Sequence, residues 1–352
     1  MIEQKQAIIT PDDPILITGA AGFIGTYVVQ RLLAHGFRNL RCFVRPSGDI
    51  AKLNALKSEW REAGAALEIL TGNLLSSEDC RRATERVAVI YHLAAGSGEK
   101  SFPDAYLNSV VTTKALLDAC VAGNSLKRFV NVSSFAVYSN DKMPRGRLLD
   151  ETAPVEQKPE LRGDAYTYAK VKQEQLVNAY GENLGLPYVH MRPGVVYGPG
   201  KEAITGRIGL GTFGVFLHLG GSNRIPFTYV ENCAEAIVLA GIVPGVEKEV
   251  FNILDDNPPT SRQFLKRYKR NIRHFRSIYV PQWLSFLLCA LWEHYSKWSE
   301  GQLPMAFNRR RWKATWKRST YTNQKLKDKL GWRQVVRSDK AYEHYFCSFA
   351  RK

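Results

Sequence analysis

The sequence predicts an α/β fold, a doubly wound parallel sheet followed by a smaller C-terminal region. Two observations predict it. Short apolar runs rich in β-branched residues alternate with helical segments of about 10–16 residues, which is the pattern of βαβ units. The run at residues 87–93 is almost continuously apolar, as in a parallel strand that helices cover on both faces.

The first predicted strand runs directly into a glycine-rich turn and a helical pattern over residues 23–33. This arrangement is typical of the Rossmann fold, in which one glycine permits a sharp turn, another lets backbone N–H groups approach a pyrophosphate, and a third lets helix and strand pack closely. The helix N-terminus favours the phosphates. Tight packing without a ligand remains the alternative. The predicted cofactor contacts in this loop are Gly19, Gly22, Phe23, Ile24 and Gly25.

The second predicted strand, residues 40–44, ends at Arg45, which lies 20 positions after the last loop glycine. An acidic residue there would bind the ribose 2′-OH of NAD, whereas an arginine accommodates the 2′-phosphate of NADP. Arg45 therefore favours NADP over NAD, unless it stacks on the adenine or faces solvent. The third predicted strand, residues 66–70, leads to Asn73 and Leu74, where we expect contact with the adenine.

The fourth predicted strand, residues 87–93, ends in small residues. Leu93, Ala94 and Ala95 leave room for a cofactor to lie against the backbone. We interpret His92, within the same apolar run, as a core histidine rather than a ligand.

Acid–base chemistry is expected on two later segments. The predicted strand at residues 128–134 ends in Ser134, and a predicted helix over residues 166–180 begins with Tyr166 and Lys170. These two residues are four apart, so their side chains share one face. Because an adjacent ammonium favours a phenolate, we expect Lys170 to lower the pKa of Tyr166 from its ordinary value near 10. Such a pair alone is also common on surface helices.

The net charge of +16 is concentrated in two stretches. Residues 262–276 hold seven Lys/Arg and no acid, and residues 309–318 hold six, interleaved with Trp312 and Trp316. Either these stretches attract an anionic surface such as lipid headgroups, a diphosphate or nucleic acid, or they are solvated helix faces. Between them, residues 283–292 are uncharged and too few to span a bilayer, so they form either an interfacial segment or a buried core helix.

The remaining composition excludes several classes of protein. The six cysteines show no Cys-x-x-Cys pair or nearby histidine cluster, so neither a metal site nor a disulfide framework is predicted, and a reduced cytoplasmic setting fits best. The N-terminal stretch has no apolar core of a signal peptide. We expect a small-molecule substrate as partner. A homodimer and peripheral contact with an anionic membrane stay open, and nucleic acid is not favoured.

Several motifs together resemble the extended short-chain dehydrogenase/reductase family, which includes sugar-nucleotide epimerases, dehydratases and 3β-hydroxysteroid dehydrogenase-like enzymes. The resemblance covers residues 13 to about 255. The motifs are the glycine loop, His92-Leu93-Ala94-Ala95, Ser133-Ser134-Phe135-Ala136-Val137-Tyr138, Tyr166-x-x-x-Lys170 and Arg192-Pro193-Gly194-Val195-Val196-Tyr197-Gly198-Pro199-Gly200. The resemblance implies NAD or NADP and hydride transfer at a secondary alcohol or ketone of a nucleotide- or lipid-linked sugar or a sterol-like substrate.

The resemblance also implies roles for individual residues. Tyr166 would transfer a proton to or from the substrate oxygen, Ser134 would orient that oxygen, and Lys170 would bind the nicotinamide ribose and tune Tyr166. Asn108 resembles the asparagine on the helix behind the site. Further cofactor contacts carried over from the last motif are Pro193 and Val196.

Departures from the family pattern reduce the number of activities that the sequence supports. Dehydratases of the family have an acidic pair directly after the catalytic Ser/Thr, and here Phe135 and Ala136 stand there, which disfavours a dehydratase. NAD-retaining epimerases usually have an acid where Arg45 stands, which favours net redox chemistry. Two alternatives stay open: a nucleotide-sugar epimerase with retained NAD, and a non-catalytic cofactor-sensing regulator. The complete Ser-Tyr-Lys set argues against the regulator.

We divide the chain accordingly. Residues 1–200 are predicted to be the NAD(P)-binding domain, and residues 201–352 mainly a substrate-binding region, with about 227–255 packing back on the sheet. The glycine-rich residues 204–221 are expected to be a mobile connection that lines the substrate cleft.

Overall fold

The computed structural model describes residues 7–96, 101–123, 125–299, 302 and 307–350. Its strands are β1 (Ile15–Thr18), β2 (Asn39–Val44), β3 (Ala66–Thr71), β4 (Val89–His92), β5 (Arg128–Val132), β6 (Leu148–Leu149), β7 (Tyr188–Pro193), β8 (Val195–Tyr197), β9 (Gly209–Thr212), β10 (Val215–His218), β11 (Phe227–Tyr229), β12 (Val250–Ile253), β13 (Ser277–Tyr279) and β14 (Thr320–Tyr321).

Helices and single turns connect these strands. The α-helices are α1 (Phe23–Ala34), α2 (Ala51–Glu59), α3 (Ser77–Thr84), α4 (Phe102–Tyr106), α5 (Thr112–Gly123), α6 (Ala165–Asn183), α7 (Val230–Ile242), α8 (Ser261–Asn271), α9 (Gln282–Trp298), α10 (Arg309–Trp316), α11 (Gln324–Leu330) and α12 (Ser338–Ala350). A π-helical segment, Leu107–Val111, joins α4 to α5, and 3-10 turns lie at Phe135–Val137 and Pro159–Arg162.

A seven-stranded parallel sheet forms the centre of the molecule, in the order β12-β7-β5-β4-β1-β2-β3. The strand order reverses direction at β1, where Ile15 lies between Leu40 of β2 and Val89 of β4. One face packs on α1, α2 and α7, and the other on α3, α5 and α6. The doubly wound fold that the sequence predicts is confirmed.

The chain returns to this sheet after a long excursion. Strand β12 pairs with β7, with Val250 beside His190. Helix α7 packs on α1, and all its residues except Glu231 are buried, which explains why most of its side chains are apolar or small. The division of the chain into two domains stays a prediction.

The glycine-rich residues 204–221 differ from expectation, because they fold into an antiparallel hairpin of β9 and β10 that β13 extends to three strands. Phe213 and Gly214 form its two-residue turn, both with positive φ, as a tight hairpin requires. A Cβ on Gly209 would lie 2.0 Å from the Leu217 carbonyl oxygen, so the glycine permits close pairing. The prediction of an unpaired connection is therefore wrong, whereas the mobility of this segment and its place beside the substrate cleft stay predictions.

Helix α9 extends beyond the predicted apolar segment. Its inner side packs Cys289 with Leu219, Trp312 and Trp316. Across the described part of the chain, no helix combines the length and apolar character needed to cross a bilayer. All six cysteines are free thiols, and five of them are buried. Among the described residues no group of His, Cys, Asp and Glu is arranged to hold a metal ion.

Candidate active site

The glycine loop between β1 and α1 has no space for larger residues. Gly19 has a φ of +70°, and a Cβ there would lie 2.9 Å from the backbone nitrogen of Ala94. A Cβ on Gly25 would lie only 2.2 Å from the Gly19 carbonyl oxygen. Gly22 is the N-cap of α1, no side chain caps this end, and the first turn has no acid. The unpaired N–H groups of the first turn thus fit an anionic phosphate group.

Two segments that are distant in the sequence approach this loop. Leu93 follows β4, and its N–H donates to the Thr18 carbonyl oxygen at 3.2 Å, which draws the half-buried stretch 93–95 against the loop. The Phe23 ring lies 4.8 Å from the Lys201 ammonium nitrogen, and Ile24 is half-buried. Sequence reasoning missed Lys201, although it directly follows the glycine-rich end of the last motif.

Arg45 is exposed, beyond the end of β2, and forms no ion pair with any described residue. Its carbonyl oxygen accepts the Gly48 N–H at 2.9 Å, which closes a turn. A Cβ on Gly48 would lie 3.9 Å from the Cβ of Ala21, so this turn adjoins the glycine loop. The Arg45 guanidinium is thus accessible on the cofactor-loop side of the sheet.

The two predicted adenine contacts differ in exposure. Asn73 is exposed, and its backbone N–H donates to the Asp79 carboxylate at 2.8 Å. Leu74 is 7% exposed and packs in the core, so only its backbone is available to a ligand.

The candidate acid–base residues lie where β5 and α6 meet. Ser134 follows β5, and its hydroxyl accepts the Ala136 N–H at 3.1 Å. Tyr166 is in the first turn of α6. Burial raises the pKa of Tyr166, and a hydrogen bond with the Ser134 hydroxyl only partly offsets this. The expectation that Lys170 lowers the pKa of Tyr166 is therefore wrong for this structure.

The direction of the Lys170 side chain explains that difference. Its ammonium donates to the Val132 carbonyl oxygen at 2.8 Å and to Gln173 Oε1 at 2.9 Å. Burial lowers the pKa of Lys170 to about 8, against the attraction of Glu174. The acceptors of the ammonium thus belong to strand β5 and to helix α6 itself.

A buried chain of hydrogen bonds runs from Lys170 to the glycine loop. Gln173 Nε2 donates to Thr113 Oγ1 at 2.8 Å, and Thr113 is 2.8 Å from His92 Nε2. His92 Nδ1 is 2.8 Å from the hydroxyl of Thr18, the last residue of β1. Burial lowers the pKa of His92 to about 3, so its ring is neutral. Sequence reasoning missed Gln173 and Thr113; the position of Gln173 one turn after Lys170 was the available signal.

Asn108 lies in the π-helical segment with an exposed side chain. Its neighbour Ser109 is buried, and the Ser109 hydroxyl accepts the Gly96 N–H at 3.0 Å. The π-helical turn thus directs Ser109 toward the end of β4.

An ion pair is buried beneath the site. Arg192 donates through two nitrogens to the Glu174 carboxylate, at 2.9 and 2.6 Å, and its guanidinium lies 4.7 Å from the centre of the Tyr138 ring. Such a two-point contact fixes both side chains. Pro193 ends β7 and Val196 lies in β8, and both are buried.

Comparisons with known proteins agree with this geometry. Residues 15–253 match the sequence profile of the NAD dependent epimerase/dehydratase family. The chain is 31% identical over 257 residues to a trifunctional UDP-glucose 4,6-dehydratase/UDP-4-keto-6-deoxy-D-glucose 3,5-epimerase/UDP-4-keto-L-rhamnose-reductase of Arabidopsis thaliana, covering 68% of this chain and 36% of that protein. The chain thus spans about a third of the length of this relative.

Two further relatives cover most of the chain. The sterol-4-alpha-carboxylate 3-dehydrogenase, decarboxylating, of Mus musculus is 23% identical over 347 residues, covering 95% of this chain and 90% of that protein. The structure of a Thermus thermophilus UDP-glucose 4-epimerase complex with NAD superposes with a TM-score of 0.66 at 22% identity, covering 96% of this chain and 99% of that one. The latter likeness shows the fold.

Proposed function

This chain belongs to the NAD dependent epimerase/dehydratase family, and from that premise we propose that it is an NAD(P)-dependent oxidoreductase acting on a secondary alcohol or ketone. The observation that carries the proposal is the contact between the Ser134 hydroxyl and Tyr166, one turn from the buried ammonium of Lys170. A hydroxyl, a phenol and an ammonium in this order suit proton exchange with a substrate oxygen.

When bound, the nicotinamide supplies or accepts the hydride. The Tyr166 phenol, whose ordinary pKa near 10 burial raises further, carries its proton at neutral pH and can donate it to the oxygen of a ketone. The Ser134 hydroxyl orients that oxygen by a hydrogen bond. The Lys170 ammonium, protonated below pH 8, would hold ribose hydroxyls with its remaining hydrogen.

The glycine loop would hold the pyrophosphate of the cofactor. The exposed Arg45 supports a preference for NADP, because a guanidinium binds a phosphate group at two points. Asn73, the backbone of Leu74 and the stretch Leu93 to Ala95 would border the adenine and the nicotinamide riboside. Pro193 and Val196, both buried beside the site, complete the proposed cofactor contacts.

The substrate is proposed by class only. The names of relatives include both UDP-sugar enzymes and a sterol-4-alpha-carboxylate dehydrogenase, which supports a nucleotide-linked sugar or a sterol-like alcohol. Phe135 and Ala136 still disfavour a dehydratase, since neither side chain can act as an acid or a base. A homodimer remains a prediction.

One experiment separates the candidate activities. The protein is mixed with NAD⁺ or NADP⁺ and either UDP-glucose, UDP-glucuronic acid or a 3β-hydroxysterol, while absorbance at 340 nm is recorded and products are resolved by chromatography. A sustained rise at 340 nm supports the oxidoreductase. Inverted sugar without net absorbance change would show the epimerase instead, and tight cofactor binding without turnover of either substrate class or its ketone would favour the regulator.

A further inference from the structure

The two basic stretches of the sequence have different surroundings in the structure. Around α10, acids from other segments form ion pairs with three of the six cations, and Trp312 and Trp316 are buried. The pairs are Arg309 with Glu293 at 3.0 Å, Arg310 with Glu156 at 3.2 Å and Lys313 with Asp141 at 2.6 Å. This stretch therefore attaches α10 to the protein, and half of its cations already face an acid.

The stretch on and after α8 has no such acids. None of its seven cations forms an ion pair with a described residue, and all but the half-buried Lys269 are exposed. They are Arg262, Lys266, Arg267, Lys269, Arg270, Arg273 and Arg276. Four of them line a surface cavity of about 390 Å³ together with His218 and His274. This face of the protein is therefore strongly positive.

Helix α9 presents an uncovered apolar face. The exposed side chains recur every three or four residues, with Leu287 and Leu288 adjacent, so they form one stripe along the helix. They are Trp283 (69% exposed), Leu287 (48%), Leu288 (53%), Leu291 (57%), Tyr295 (51%) and Trp298 (73%). The opposite side is tied to the core, where the Ser285 hydroxyl accepts from Trp312 Nε1 at 2.9 Å. The stripe thus belongs to a helix that is already fully anchored.

Strand β13 joins these two features into one surface. The Arg262 guanidinium lies 5.4 Å from the centre of the Tyr279 ring, and the Lys269 ammonium donates to the Ser277 hydroxyl at 3.1 Å. Ile278 and Tyr279 are both exposed, and α9 begins three residues after β13. We call the seven cations, these two β13 residues and the α9 stripe the α8–α9 surface.

We propose that the α8–α9 surface docks on a bilayer containing anionic lipids, with the α9 stripe among the acyl chains and the α8 cations on the headgroups. Leucines flanked by tryptophan and tyrosine, beside unpaired cations, match the layered chemistry of a membrane interface. A second copy of the chain would bring two like-charged clusters together, which disfavours a homodimer through this face. Nucleic acid would engage the cations and leave the leucines in water.

The test is co-sedimentation of the full chain with phosphatidylcholine vesicles that contain or lack phosphatidylglycerol, at about 0.05 M and about 0.5 M salt. We expect binding to the anionic vesicles at low salt and loss of binding at high salt. Each cation near such a surface is worth about fivefold in partitioning, so Lys266→Gln with Arg270→Gln and Arg276→Gln should weaken binding on the order of a hundredfold. Leu288→Ser with Leu291→Ser should weaken it by at least about tenfold.

Matched control variants remove exposed cations or exposed leucines from parts of the protein outside the α8–α9 surface. Lys52→Gln with Lys57→Gln and Arg61→Gln takes three exposed cations from the region of α2, and Leu161→Ser with Leu184→Ser takes two exposed leucines. Both control proteins should bind vesicles as the unchanged chain does.

Several results would overturn the proposal. The first is that the wild-type protein stays in the supernatant with anionic vesicles at low salt. The second is that the double substitution Leu288→Ser with Leu291→Ser does not weaken vesicle binding. The third is that the control proteins lose as much vesicle affinity as the test proteins. Sedimentation equilibrium without lipid gives a fourth. If the protein is a dimer and Leu288→Ser with Leu291→Ser dissociates it, a second copy of the chain covers the stripe. Tighter binding to duplex DNA than to vesicles would also contradict it.

Discussion

Replacing Gly25 by alanine should separate the glycine loop from helix α1. The added Cβ would lie 2.2 Å from the Gly19 carbonyl oxygen and 2.9 Å from the Cα and carbonyl oxygen of Ala20. All three atoms are backbone, so no side chain can rotate away, and the loop must move by about 1 Å to restore ordinary contact. Forcing a methyl group into such packing costs about 1–3 kcal/mol of unfolding free energy. The same movement displaces the N–H groups proposed to hold the pyrophosphate.

The assay is titration with NADPH and NADH, followed by nicotinamide fluorescence, together with thermal unfolding. We expect the Kd of Gly25→Ala to rise by at least about tenfold, because a displacement of 1 Å breaks hydrogen bonds to phosphate, and the Tm to fall by a few degrees. Gly211→Ala is the control, since a Cβ there meets nothing within 4 Å. Unchanged cofactor affinity in Gly25→Ala, with the Tm lowered as expected, would refute the assignment of this loop.

Three further predictions concern charge and protonation. Arg45→Asp should reverse or abolish a preference for NADPH over NADH in the same titration, and equal affinities before and after the change would show that Arg45 is a bystander. Gln173→Leu removes an acceptor from the Lys170 ammonium, so the alkaline limb of the kcat profile should move below about pH 8, and an unmoved limb would contradict the network. Burial raises the pKa of Asp255 to about 7, so the unfolded chain loses this proton first and unfolding becomes easier as pH rises from about 4 to about 7. The free energy of unfolding, measured by denaturant titration, should therefore fall over this pH range, and Asp255→Asn should remove up to about 4 kcal/mol of that fall. An identical pH dependence in the variant would refute the buried neutral carboxyl.

The central fold was predictable because its signals are local. In the first strand, turn and helix, the apolar run, the glycines and the helical periodicity follow one another within twenty residues, and each requires the same backbone path. The spacing of Tyr166 and Lys170 likewise fixed their common face on α6.

The missed features depend on partners that are distant in the chain. The two basic stretches look alike in sequence, and only the fold brings Glu156 and Asp141 to one of them. The Lys170 ammonium points toward Val132 and Gln173, and burial raises the pKa of Tyr166, where the sequence had suggested that Lys170 would lower it. Periodicity indicates that a helix is amphipathic, but which side of α9 is covered depends on where the rest of the chain packs.

The strand pairing within residues 204–221 could not be predicted from the sequence for a different reason. Glycine usually marks loops, so six glycines suggest a connection. In β9, however, a glycine serves close strand approach, as the 2.0 Å distance from a Gly209 Cβ to Leu217 demonstrates. A sequence pattern does not distinguish these two uses.

The central claim, that Tyr166 exchanges the proton during hydride transfer, is tested most directly by Tyr166→Phe in a single-turnover measurement. Wild-type protein, Tyr166→Phe and the control Tyr168→Phe are saturated with the cofactor and mixed with a substrate that the wild-type protein converts. Absorbance at 340 nm is then followed. Tyr168 is a suitable control because it lies on the same helix, with its ring packed edge-on against Phe102. We expect Tyr166→Phe to bind cofactor within about threefold of wild type and to lose at least about a hundredfold in hydride-transfer rate, while Tyr168→Phe stays near wild type. A Tyr166→Phe rate close to that of wild type would contradict the account.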